Sequence, residues 1–343
     1  MQARGILRLQ SKSNHRARGS KAFGTSVSLV VTLGVVFVTI SYGQQLLDRV
    51  LAARFTPSEE IQKVDERLAL TDKAQTLFYA SHPTIEEETQ FNMSCQSSER
   101  TTAMLGCYYR RQIYLFNITN KELDGAVEVT AAHEMLHAAY ERLPFFERPK
   151  VDQMVEAEYE KLKNDKDLAD LVGYYQKAEP DALTNELHSI IGTTFTNLDP
   201  KLERYYGQYF KNRSAIVAMN QSYSAVFKKV QAQSDELAAT INKESPAIEA
   251  ELARYNTDRN QLEMDIESFN QRAAGGGFGS ESSFRIARTA LVTRSNDLNK
   301  RRSDINARVA EYNKLVEQLK VLSVRSAELN KSINGITTPG TSI

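Results

Sequence analysis

Two heptad runs, split by a glycine-rich break, constrain this chain more than any other feature. Ile241, Ile248, Leu252, Tyr255, Leu262, Ile266 and Phe269 fall on spacings of three, four and seven. After Ala273–Ser283 (AAGGGFGSESS), Leu298, Ile305, Val309, Tyr312, Val316 and Leu319 repeat the pattern. An apolar residue every 3.5 positions keeps one stripe of a helix facing a partner, and a flexible break between two equal runs lets them pair antiparallel. The pattern predicts a coiled-coil hairpin over 214–335 with its tip near 273–283 and arms about 75 Å long. Arg259 and Arg302 read as polar interruptions of the seam, which suggests a protein partner or self-association through the coiled coil.

The opposite end carries a second strong pattern. Arg4, Arg8, Lys12, Arg16, Arg18 and Lys21 make residues 1–21 a basic leader without an acid. Ala22–Leu47 then carries no charge, and its apolar density matches a bilayer core. Basic residues on the N-terminal flank hold that end in the cytoplasm, which predicts a single-pass transmembrane signal anchor over 22–47 with the body outside. Ser41-Tyr42-Gly43 offers small residues for cleavage, which would make the product secreted. Outside the cytoplasm, Cys95 and Cys107, twelve apart and without a CxxC or Cys-His spacing, read as one disulfide.

Between these ends the pattern predicts helices at Pro57–Ser81, Ala126–Arg142, Lys150–Asn164, Leu168–Ala178, Pro180 to about Ile191, and Pro200–Arg213. Phe91–Cys95 reads as a strand, and Leu105–Ile118 as a hairpin turning at Arg110-Arg111-Gln112. The expected fold is mainly α with a small antiparallel β-sheet over 55–213, joined to the coiled-coil hairpin.

The chemistry concentrates at His133-Glu134-Met135-Leu136-His137. Two histidines four apart on a helix project from one face, so both imidazoles can reach one Zn²⁺. Glu134, one residue past the first ligand, is placed as general base and then acid toward an activated water. The chain has five histidines in all, and the flanks of this pair are apolar.

The segment AAHEMLHAAYE resembles the active-site helix of the zincin metallopeptidases. The Gly and third His of the metzincin branch are missing, so the likeness is to gluzincins, and it spans about residues 85–215. That resemblance implies an α+β zincin-like domain, a peptide or protein substrate bound along an edge strand, here matched by Ile113–Phe116, and a Glu from a later helix as third zinc ligand. Glu186, in Asn185-Glu186, fits that role. His188 is the competitor, since positions 186 and 188 lie about 200° apart on a helix and cannot both face one ion. Glu141, Glu147, Glu156 and Glu158 stand behind them. His188 and Tyr205 are candidates for orienting a ligand or holding an oxyanion. Lys and Arg together balance Asp and Glu at 43 each, so no excess positive field exists to bind nucleic acid.

Overall fold

The computed structural model describes residues 43–95, 105–178 and 180–333. The basic leader, most of the charge-free segment and the C-terminal tail lie outside them. No helix among the described residues is long and apolar enough to cross a membrane.

The chain is mainly helical, with one three-stranded mixed sheet and two long helices. A helix over 43–54 (α1) precedes α2 (Glu59–Leu68) and α3 (Asp72–Ala80). Ser58 and Thr71 cap them by accepting from the Ile61 and Ala74 backbone N–H. The single helix expected over Pro57–Ser81 is thus two. Ala69 turns left-handed, and Leu70 bridges to Phe210 while Thr71 N–H donates to the Tyr209 carbonyl. A long-range backbone pairing outcompetes local helix continuation here.

Strand β1 (Thr84–Glu86) follows, then helix α4 (Glu88–Ser94). The strand expected at Phe91–Cys95 is therefore helical. One buried apolar anchor, Phe91, against Phe116 satisfies a helix and offers no alternation to a sheet. Cys95 and Cys107 lie at disulfide distance, with Cα atoms 6.0 Å apart, tying α4 to the sheet.

The expected hairpin forms from β2 (Gly106–Tyr109) and β3 (Gln112–Phe116). Its turn is only Arg110-Arg111, both at positive φ, as a two-residue hairpin requires. The sheet order is β1-β3-β2, with β1 parallel and β2 antiparallel to β3. The expected all-antiparallel sheet is thus mixed. Ile113–Phe116 is the central strand, and β2 takes the edge position.

Helix α5 (Ala126–Glu141) crosses the core against α8 (Leu183–Thr194), while α6 (Arg148–Leu162) and α7 (Lys166–Ala178) pack on α8 and α9 (Pro200–Tyr206) packs on α6. The run expected to reach Arg213 ends at Tyr206, because Tyr209 and Phe210 turn back onto α2–α3. Ala131, Ala132, Met135 and Leu136 of α5 meet Leu187, Ile191, Leu202 and Tyr206 in one buried cluster.

Helices α10 (Arg213–Ala274) and α11 (Glu281–Ile333) form the antiparallel hairpin, about 93 and 80 Å long. The first turns of α10 belong to the domain core, where Ile216 and Val217 are fully buried. Ile248, Leu262, Leu298, Ile305 and Leu329 fill the seam, whereas Leu252, Ile266 and Val316 are exposed, since a two-helix pair covers one narrow face. Arg259 and Arg302 are also exposed, and Arg259 pairs along its own helix with Glu263. The arms are instead linked across by Arg294–Asp265, Arg301–Asp258 and Arg308–Glu251, with Glu244 as a second partner of Arg308. Each step of seven along α11 meets a step of seven back along α10. Exposed pairs of this kind are worth at most about 1 kcal/mol each, but their spacing fixes the register.

Candidate metal centre

Gly125 opens α5 at φ 93°, a left-handed position where a side chain would also strike the Met219 Cβ, 2.8 Å away. That close approach lets α10 pack directly on α5. Behind the helix, α8 is fixed at its C-terminal end by α10. Arg213 donates to the Gly192 and Phe195 carbonyls, and Asn220 to that of Thr193. The helices that carry the histidine pair and Glu186 are therefore both braced by the base of the long hairpin.

On this frame His133, His137 and Glu186 converge. The two imidazole Nε2 atoms are 3.0 Å apart, His137 Nε2 lies 3.3 Å from Glu186 Oε1, and His133 Nε2 lies 3.7 Å from Glu186 Oε2. Donors held 2.0–2.1 Å from one tetrahedral ion stand about 3.3 Å from each other. One donor atom from each of the three lies within 4.8 Å of the others, and two imidazoles plus a carboxylate are a known zinc set. The residues present therefore fit the ion.

The electrostatics suit the same purpose. Burial alone would raise the Glu186 carboxyl, but His137, His133 and a hydrogen bond from Tyr175 outweigh it and hold the pKa at about 2. Burial lowers the His137 pKa, only partly offset by Glu186, so its ring is neutral near pH 7 with a lone pair to give. The buried Asn185 Oδ1 raises that pKa somewhat without reaching full hydrogen-bond geometry.

Glu134 is buried and lines the same cleft, of about 440 Å³, with His133, His137, Glu186, Tyr175 and Leu105-Gly106. Gly106 is required there: a Cβ would sit 2.5 Å from Thr130 Cγ2 and 3.1 Å from Glu134 Cγ. Edge strand β2 thus lies directly on α5, and its outer side pairs with no other strand among the described residues.

His188 points elsewhere. It is fully buried among Tyr140, Tyr205 and Tyr206, with Nε2 2.9 Å from the Tyr205 hydroxyl and Nδ1 unpartnered. Burial, then the charges of His137 and His133, push its pKa down to about 3. Neither His188 nor Tyr205 lines the cleft, so they act in packing the wall behind Glu186. Of the remaining acids, Glu158 pairs with Lys161 and accepts from the Asp199 N–H. Glu141 lies 3.5 Å from Arg111, while Glu147 is exposed.

Tyr175 is a cleft residue that spacing did not reveal. It is buried on α7 between Leu168, Val172 and the Glu186 carboxylate. The amphipathic pattern of α7 marks it as an inward position, but nothing local distinguishes its hydroxyl from a packing tyrosine. Comparison with protein-family models, with curated proteins and with solved structures gives no match.

Proposed function

We propose that this chain is a membrane-anchored, extracytoplasmic, zinc-dependent peptidase with a zincin-like domain. The observation that carries the reading is the convergence of His133, His137 and Glu186, with donor atoms within 4.8 Å of one another, in one cleft with Glu134. Zinc held by such a set supplies Lewis acidity, enough to make water a nucleophile near neutral pH. Glu134 accepts the proton of the attacking water and returns it to the leaving amine. The open side of β2 offers backbone groups on which an extended peptide adds as a further strand, bringing its carbonyl over the histidine pair. The charge-free run Ala22–Leu47 after six basic residues supports the anchor and its orientation.

A Glu134→Gln variant of the full chain tests this. Zinc content at one per chain with loss of peptide hydrolysis is the expected result; undiminished cleavage removes Glu134 from the mechanism. A second reading, a non-catalytic cell-envelope scaffold, is favoured by the length of the α10–α11 hairpin and its cross-arm ion ladder. Folded protein that binds no zinc supports the scaffold.

A further inference from the structure

Among the described residues before α10, seven large apolar side chains are exposed. Two, Met93 and Tyr174, are scattered; the other five are Leu46, Leu47 and Val50 on α1, and Phe145 and Phe146 just beyond α5. Scattered exposed apolar residues are ordinary, but a concentration of them marks a contact surface.

A buried ion pair joins the two segments that carry the five. Arg142 Nε lies 3.1 Å from both carboxylate oxygens of Asp48, and the two side chains are only 5% and 4% exposed. Arg142 also donates to the Tyr108 hydroxyl, the Ala138 carbonyl and Ser81 Oγ, so α1 is clamped at once to α5 and to edge strand β2. Asp48 faces inward, and at 100° per residue Leu46 and Val50 turn about 160° away from it, outward. Phe145 follows Arg142 by three peptide links, roughly 11 Å of chain at most. Phe145 and Phe146 stack edge to face, their centroids 5.5 Å apart, with Phe145 77% exposed.

The sequence on the N-terminal side of this patch says what covers it. The charge-free run Ala22–Leu47 leads straight into α1 and ends on the patch itself, and exposed Arg49 and Arg54 follow on the same helix. Apolar side chains beside cations, at the end of a bilayer-length segment, match the boundary between acyl chains and headgroups.

We infer that the surface formed by α1 and Phe145-Phe146 sits in the interfacial layer of a lipid bilayer and holds the metal cleft at a fixed height and tilt over it. The inference rests on the anchor in the proposed function and adds to it a substrate class: polypeptide segments presented close to the membrane surface.

The chain has no tryptophan, so Phe145→Trp creates a single fluorescent reporter. The full-length variant is reconstituted into phosphatidylcholine–phosphatidylglycerol vesicles whose acyl chains carry bromine near the headgroup. The expected result is a blue-shifted emission quenched several-fold more strongly than that of a Met93→Trp control. A reporter as unquenched as the control overturns the inference, whether or not the chain stays with the vesicles. A blue shift without quenching that fades on diluting the protein assigns the patch to a second copy and also overturns it. Carbonate extraction checks the anchor separately. Release with bromine quenching refutes the anchor and leaves a peripheral lipid contact, whereas retention without quenching refutes only the surface.

Discussion

Replacing Gly106 by alanine is the sharpest test of how β2 meets α5. The added Cβ falls 2.5 Å from Thr130 Cγ2, where two carbons normally stand 3.5–4.0 Å apart, so about 1 Å of overlap must be relieved. Neither side yields easily. Gly106 is held in the ladder opposite Leu115, and the Thr130 hydroxyl is tied to the Ala126 carbonyl. Overpacking of this kind costs about 1–3 kcal/mol. At 2–4 °C per kcal/mol for a domain of this size, the melting temperature should fall by roughly 2–12 °C. Thr130→Ser deletes the colliding methyl and keeps the hydroxyl bond, so the double variant should recover most of that loss. The second contact, 3.1 Å from the added Cβ to Glu134 Cγ, remains in the double variant. Hydrolysis should therefore stay depressed after stability returns. Thermal and urea denaturation of the four proteins, with peptide cleavage measured alongside, complete the cycle. Full stability in Gly106→Ala, or no rescue by Thr130→Ser, refutes the packing of β2 on α5.

Other perturbations separate the remaining parts. Asp48→Ala leaves the Arg142 guanidinium buried without its counter-charge and should cost about 3–5 kcal/mol in urea unfolding, while Asp48→Ala with Arg142→Met should cost much less. Tyr175→Phe removes the hydrogen bond to Glu186 and should weaken zinc about 10–100-fold in a chelator competition, with the far-ultraviolet circular dichroism unchanged. In the metal-free protein the Glu186 pKa is lowered from 4.5 to about 2, so its charge adds stability that is complete above pH 4.5 and lost as pH falls through 2. The stability gap between wild type and Glu186→Gln should narrow over that interval, as read by denaturant midpoints at successive pH values; a constant gap contradicts it.

The parts legible in sequence are those whose signal is local and periodic. The 3.5-residue repeat of Ile248, Leu262, Leu298 and Ile305 states both arms of the hairpin, and the i, i+4 histidines state one face of α5. Glu186 entered only through the likeness of Asn185-Glu186 to the later helix of gluzincins; nothing in its local pattern announces that it lies beside the two histidines. The rest depends on distant partners. Whether Thr84–Glu86 becomes a strand is decided by the edge of β3, about thirty residues away, and no alternation in three residues announces it. The break at Ala69 is made by Phe210 and Tyr209, and the Tyr175 hydroxyl differs from that of a packing tyrosine only through the Glu186 carboxylate it meets. Arg294, Arg301 and Arg308 were hidden because surface arginines are common. Only the antiparallel register reveals that they answer acids seven apart on the other arm.

Helix α10 is a wall of the cleft at one end, where Asn220 and Tyr223 line it, and an arm of the coiled coil at the other. Because both jobs share one helix, continuous through Pro246, the arm's azimuth is indexed to the cleft as a key's teeth are to its bow. Removing a single residue beyond Val230 would swing everything distal by 100°, whereas excising seven from each arm would shorten the reach by about 10 Å and leave its bearing nearly unaltered. Chains built on this plan can therefore vary in reach by whole heptads while always presenting the same flank of the tip to whatever it meets.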